Sequence, residues 1–203
     1  IYAIGRRIRF ALGTVLGARA VKGISGRVHY NDFMLNSTTP SDVESYQRGA
    51  KQFVDILERS LSEAGRDWAS IGACLEVGCG YGRIVRELRT HLPASQIYVS
   101  DVIDEGAVFA AREFGVHKAP VFEEAGDSLD DKFDLIYLLS VYTHLRRDFV
   151  ESNLRRVAAA LKPGGVVIFT VHGEGSAQTS ERYRQYWLDK EKLLAALASD
   201  GYY

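Results

Sequence analysis

Cysteine, proline and methionine are scarce in this chain: two, four and one among 203 residues. Neither Cys74 nor Cys79 sits in a Cys-x-x-Cys or other metal spacing, which argues against a disulfide framework and a structural zinc site. Reduced thiols fit a cytoplasmic protein. No stretch approaches the ~20 consecutive apolar residues that a bilayer span requires. Charge of one sign is lacking too. A net charge of −1 gives no global attraction for a nucleic-acid polyanion, so nucleic acid is not an expected partner. Repeats and low-complexity tracts are absent. What remains is an ordinary globular composition, 46% hydrophobic and 25% charged, in a chain long enough for one well-buried domain.

Acidic residues are missing from the first 31 positions, which carry Arg6, Arg7, Arg9, Arg19, Lys22 and Arg27. The rest of the chain therefore holds about −7. Three readings of residues 1–40 follow: a linker from an upstream domain, a basic arm that touches an acidic membrane surface or an upstream domain, or a signal sequence. Gly13, Gly17 and the Arg19 inside the small-residue box count against the last. The first residue is Ile, and Tyr202-Tyr203 reads as the start of a further strand. The sequence is accordingly read as a fragment, truncated before a final β-hairpin.

From position 41 onward, helical and strand patterns alternate. Asn36–Asp42 is a polar breaker run suited to capping a helix, and Val43, Tyr46, Ala50, Phe53, Val54, Leu57 and Leu61 follow helical spacing to about Glu63. That helix is placed beside the sheet near the ligand mouth, where Tyr46 and Arg48 are candidates for a pocket lining or for a solvated face. Strands are expected at 73–77, 96–100, 120–122, 133–139 and 166–171. Helices are expected at 83–91, 104–114, 148–161 and 189–199. The strand at 133–139 is a near-continuous apolar run, which marks burial on both faces, and 166–171 reads as another apolar strand. The alternation argues an α/β, Rossmann-like doubly wound, mostly parallel sheet flanked by helices, with right-handed crossovers.

The stretch Glu76-Val-Gly78-Cys-Gly80-Tyr-Gly82 joins the first strand to its helix. Glycines at alternate positions allow a tight turn and close approach of a ligand, and the helix start offers free N–H groups. Ligands of open parallel sheets bind outside the carboxyl ends of the strands. Asp101 closes the second strand there, where a carboxylate accepts bonds from both hydroxyls of an adenosine ribose. The dinucleotide fingerprint would need glycine where Arg83 stands, and a pyrophosphate sits poorly beside Glu76. A cationic adenosine cofactor, S-adenosylmethionine, suits these residues better than NAD.

Glu76–Gly82, Asp101, Phe133-Asp134-Leu135-Ile136 and Leu161-Lys-Pro-Gly-Gly165 together resemble the class I S-adenosylmethionine-dependent methyltransferases. Gly80-Tyr-Gly-Arg83, Ser100–Asp104 and Ser140-Val-Tyr-Thr-His-Leu145 resemble, more narrowly, bacterial methyltransferase domains associated with glycosyltransferases. The resemblance implies a cofactor-binding domain over 41–203 and a seven-stranded sheet whose last strand is antiparallel. It implies that Glu76, Gly78, Gly80 and Gly82 surround the methionine half and that Asp101 holds the ribose. Val102 and Ile103 would flank the adenine, Glu123 competes with Glu124 and Asp127 for its amine, and Ser140 joins the cofactor site from the fourth strand.

Methyl transfer from a sulfonium is an in-line displacement that needs alignment and water exclusion. A hydroxyl acceptor also benefits from a base. His144, just past the fourth strand, is the first candidate and His172, past the fifth, the second. Each has a plain alternative as a hydrogen-bonded structural histidine. Tyr142 and residues 180–187 are candidates for the acceptor pocket, and no metal cluster is expected. The function read from the sequence is O-methylation of a small molecule or saccharide. Its alternative is a non-catalytic cofactor-binding or interaction domain in a larger, glycosyltransferase-associated protein.

Overall fold

The computed structural model describes residues 4–5, 7–8, 24–35, 37–122, 128–173 and 190–200. Helix α1, Pro40–Glu63, starts where Thr39 accepts a bond from the Asp42 N–H and Pro40 takes the first helical position, which needs no N–H. Its buried residues Val43, Tyr46, Ala50, Val54, Leu57 and Leu61 form one stripe, as their spacing predicts.

Strands β1 (Cys74–Val77), β2 (Ile97–Ser100), β3 (His117–Lys118), β4 (Phe133–Leu138) and β5 (Leu161–Phe169) form one sheet. Its order is β3-β2-β1-β4-β5, and every pairing is parallel. The order reverses between β1 and β4, which makes the carboxyl end of β1 the switch point. The remaining helices are α2 (Arg83–Leu88), α3 (Asp104–Phe114), α4 (Arg147–Ala160) and α5 (Lys190–Asp200).

Alternation along the central strands divides the core in two. Cys74, Leu135 and Tyr137 face a cluster with Val54, Leu57 and Leu61 of α1, Val85 and Leu88 of α2, and Ala107 and Ala110 of α3. Leu75, Ile136 and Leu138 face the opposite way, onto Val157 and Ala160 of α4. Both faces of β4 are thus dry, which explains its unbroken apolar run.

Two expectations need correction. The third strand lies at His117–Lys118, not 120–122. Both its residues are exposed, so no apolar pattern marks them. Pairing with β2 ends where the Ala119 N–H meets the Val99 carbonyl at 2.8 Å, since Pro120 has no N–H to continue it. Likewise, α4 stops at Ala160 and the following strand already begins at Leu161. Leu161 pairs with Phe133 and Val166 with Leu135, so Lys162-Pro-Gly-Gly165 bulges out of a strand instead of preceding one. Lys162 then reaches Asp134 at 2.8 Å, closing the bulge against β4. The segments holding Glu123, Glu124, Asp127, Tyr183, Tyr186, Trp187 and Tyr202-Tyr203 fall outside the described residues. No helix among the described residues is long and apolar enough to cross a membrane.

Candidate cofactor site

The glycine loop leaves β1 between two fixed supports. The Ser100 carbonyl, at the end of β2, accepts from the N–H groups of Gly78 (2.8 Å) and Cys79 (3.2 Å). Asp101 then receives the Gly80 N–H on one oxygen at 2.7 Å and the Ile103 N–H on the other at 2.8 Å. One carboxylate therefore braces the loop and the start of α3 together. Each oxygen keeps a further lone pair for an incoming hydroxyl.

Gly78, Gly80 and Gly82 all have positive φ. Gly82 caps α2 in the left-handed region at φ 77°, and a Cβ there would stand 2.6 Å from the Phe114 ring. A Cβ on Gly78 would meet Val141 Cγ2 at 2.5 Å. The loop thus lies against the residue after Ser140, where β4 ends. Ser140 itself is a non-glycine residue at φ 57°, held by its N–H to Thr170 Oγ1 at 2.8 Å and by its carbonyl to the Thr143 hydroxyl at 2.9 Å. Three strand ends converge here, as a switch point requires. Left-handed backbone at a non-glycine position is held by its surroundings and collects at functional sites.

Glu76 is placed differently from the other loop residues. Its side chain is 3% exposed and accepts the Tyr137 hydroxyl at 2.8 Å, with the Val85 N–H as a further donor. Burial raises its pKa from 4.5 to about 8, and the Asp101 charge adds to the rise against the relief from Tyr137. Near neutral pH this carboxyl is largely protonated and supports the loop from beneath. Cys79 is buried in the loop, and burial pushes its thiol up, so it is no nucleophile.

Beside Asp101 opens a cleft of about 310 Å3 lined by Asp101, Val102, Asp104, Lys118, Ala119, Pro120 and Val121. That is within the ~300–1,000 Å3 of small-ligand sites. Val102 is 85% exposed at its mouth, an apolar side chain offered to solvent where a flat ring could cover it. Ile103 is exposed next to it, and Lys118 pairs with Asp104 at the rim.

The two histidines are less tied to this cleft. His144 ends a short 3-10 turn, Tyr142–His144, and is exposed. His172 is exposed beyond β5. Tyr142 turns inward instead, donating to Asn153 at 2.9 Å, and burial raises its pKa to about 12. Tyr46 donates to Asp32 at 2.6 Å beneath residues 32–35, and Arg48 pairs with Glu44 on the exposed side of α1. Glu123 lies outside the described residues. No group of three metal-binding side chains occurs among the described residues.

Sequence pattern alone does not mark Gly106. A Cβ there would stand 2.5 Å from the Gly80 carbonyl oxygen, so α3 packs directly on the glycine loop. Its one signal is a glycine in the first turn of a helix, where it costs about 1 kcal/mol unless packing requires it.

An open parallel sheet, a glycine turn at its switch point and Asp101 joining that turn to a cleft at the ends of β2 and β3 define a Rossmann-like domain. The comparisons narrow it. A family profile described as a methyltransferase domain matches residues 46–195, well over half of the sequence, and the chain belongs to that family. Among solved structures, an S-adenosylmethionine-dependent methyltransferase from Clostridium acetobutylicum is 22% identical at TM-score 0.50, covering 59% of this chain and 49% of that one. The sugar N-methyltransferase KedS8 from a Streptoalloteichus species is 22% identical at TM-score 0.47, covering 60% and 49%. PKMT2 from Rickettsia typhi, solved with AdoHcy, is 21% identical at TM-score 0.43, covering 64% and 29%. At that identity the likeness to the Clostridium structure speaks for the fold alone. The chain spans about half the length of several of the structures it matches.

Proposed function

We propose that this domain binds S-adenosylmethionine and transfers its methyl group to an oxygen of a small molecule or saccharide. The observation that carries the cofactor is Asp101, which takes the Gly80 N–H of the glycine loop and also lines the cleft beside the exposed Val102. Asp101 would hold the ribose, with Val102 and Ile103 against the adenine. Gly78, Gly80 and Gly82 would admit the methionine half beside Ser140. Glu76 would act from below the loop, and Glu123 stays a candidate for the adenine amine. A protonated Glu76 lowers the negative charge under a ligand that carries its own carboxylate, while Asp101 keeps the site receptive to a cation.

Bound there, S-adenosylmethionine would supply an electrophilic methyl that an acceptor oxygen could displace in line, the carbon–sulfur electron pair staying on sulfur as a thioether. The acceptor's proton goes to a base, for which His144 is the first candidate and His172 the second. The protein's part is alignment and exclusion of water.

Isothermal titration with S-adenosylhomocysteine and NADH tests the cofactor. Binding of the first, lost in Asp101→Ala, supports the reading; binding of NADH alone would sink it. Transfer of a labelled methyl to a pool of small-molecule and saccharide acceptors, abolished in Gly80→Arg, tests catalysis. Tight binding without turnover across broad pools would instead favour a non-catalytic cofactor-binding domain.

A further inference from the structure

Residues 24–35 precede α1 and belong to the basic N-terminal stretch, yet they run across the outer side of the cofactor loop. Both ends of this segment are pinned. At one end the buried Arg86 of α2 donates to the carbonyls of Ser25 (3.2 Å) and Arg27 (2.7 Å), and Arg27 pairs with Glu113 of α3 at 3.1 Å. At the other, Asp32 takes the Tyr46 hydroxyl, and Val28 and Leu35 are buried with Val43 and Tyr46 of α1.

The middle of the segment meets the loop at Tyr81, between Gly80 and Gly82. The His29 ring lies flat on Tyr81, centroids 4.6 Å apart and planes 3° from parallel. Phe109 of α3 closes on His29 from a further side at 4.9 Å. Asn31 Nδ2 and the Tyr81 hydroxyl both donate to Glu105 Oε2, at 2.9 and 2.8 Å. His29 Nδ1 accepts the Asn31 N–H at 3.2 Å, which orients the imidazole and requires that nitrogen unprotonated. Burial lowers the pKa of His29, in keeping with a neutral stacked ring.

We propose that residues 24–35 are a strap that holds the glycine loop in its binding shape, with His29 and Asn31 as positioning residues that act through Tyr81. This rests on the cofactor reading above. Among the loop's own side chains, Tyr81 is the one that reaches outward to α3 and the strap, since Cys79 turns back to the Gly80 carbonyl at 3.4 Å. The loop position in turn decides whether the Gly80 N–H meets Asp101. A loop held in place before the ligand arrives spares the ligand the cost of ordering it. Because the strap is anchored at both ends independently of His29, losing that ring should loosen the loop without unfolding the strap.

The test is titration of S-adenosylhomocysteine into wild type, His29→Ala, His29→Phe and Asn31→Ala, each with a thermal melt. His29→Ala and Asn31→Ala should bind about 3- to 10-fold more weakly, the scale of one aromatic pair or one hydrogen bond. Melting temperatures should stay close to wild type. His29→Phe, which keeps a flat ring on Tyr81, should bind within about twofold of wild type, a rescue that a purely structural segment would not show. Equal affinity in wild type and His29→Ala would overturn the strap and leave the cofactor reading standing. Equal losses in His29→Ala and His29→Phe, in step with lowered melting temperatures, would also overturn it. Failure of wild type itself to bind would remove the cofactor reading and the strap with it.

Discussion

Gly106 and Glu76 show how single residues set the glycine loop from below and beside. Adding one methyl at position 106 ordinarily helps a helix by about 1 kcal/mol. Here it meets the backbone carbonyl of Gly80 at 2.5 Å, and a carbonyl cannot rotate away as a side chain would. Overpacking of about 1–3 kcal/mol should win. Gly106→Ala is expected to melt a few degrees lower and to weaken S-adenosylhomocysteine at least tenfold, read by titration. Glu76 makes a pH prediction. Its folded pKa of about 8 stands above the ordinary 4.5, so between those values the folded chain keeps a proton that the unfolded chain gives up. Its contribution to stability is complete at about pH 4.5 and falls as pH rises through 8. Glu76→Gln keeps an acceptor for Tyr137 and removes the titration. Melts over about pH 5 to 8 should fall less steeply in that variant, by up to a few kcal/mol at ~1.4 kcal/mol per pH unit. Parallel slopes would contradict the buried protonated carboxyl.

Elements show where local pattern is enough and where it fails. Helix α1 is legible because its apolar spacing, its Thr39 cap and its Pro40 agree. Leu57, fully buried toward the sheet, should cost about 2–5 kcal/mol as Leu57→Ala, seen in denaturant unfolding. Strand β4 is legible because an apolar run buried on both faces has few other homes, and β1 because a glycine turn ends it. The two-residue β3 is not, because its residues are exposed and only pairing with Tyr98 and Val99 defines it. Nor is the bulge at Lys162–Gly165. The sequence marks a Pro-Gly-Gly turn, but the register that folds it into β5 depends on Phe133 and Leu135 across the sheet.

At the scale of the whole molecule, the charge asymmetry seen in the sequence is partly resolved within the fold. Arg27 of the basic stretch pairs with Glu113, and Asn31 bonds to Glu105, both glutamates on α3. Ligand binding should also register globally. S-adenosylhomocysteine at about 100-fold its Kd adds roughly 2.7 kcal/mol to the folded state. For a domain of this size that is a rise of about 5–10 °C in melting temperature, which NADH should not produce.

The sequence by itself determined the class of sheet and the glycine turn, and it placed Asp101 at the end of the second strand. Those signals are local: a period of two or 3.6, a glycine spacing, or an acidic residue at a strand end. Only the tertiary structure decided that Glu76 is buried under the loop against Tyr137, that Gly106 leaves room for the Gly80 carbonyl, and that residues 24–35 lie across Tyr81. Each of these joins positions 26 to 61 apart. A contact of that range has no period in the chain, and it forms only once the sheet order brings its two halves together.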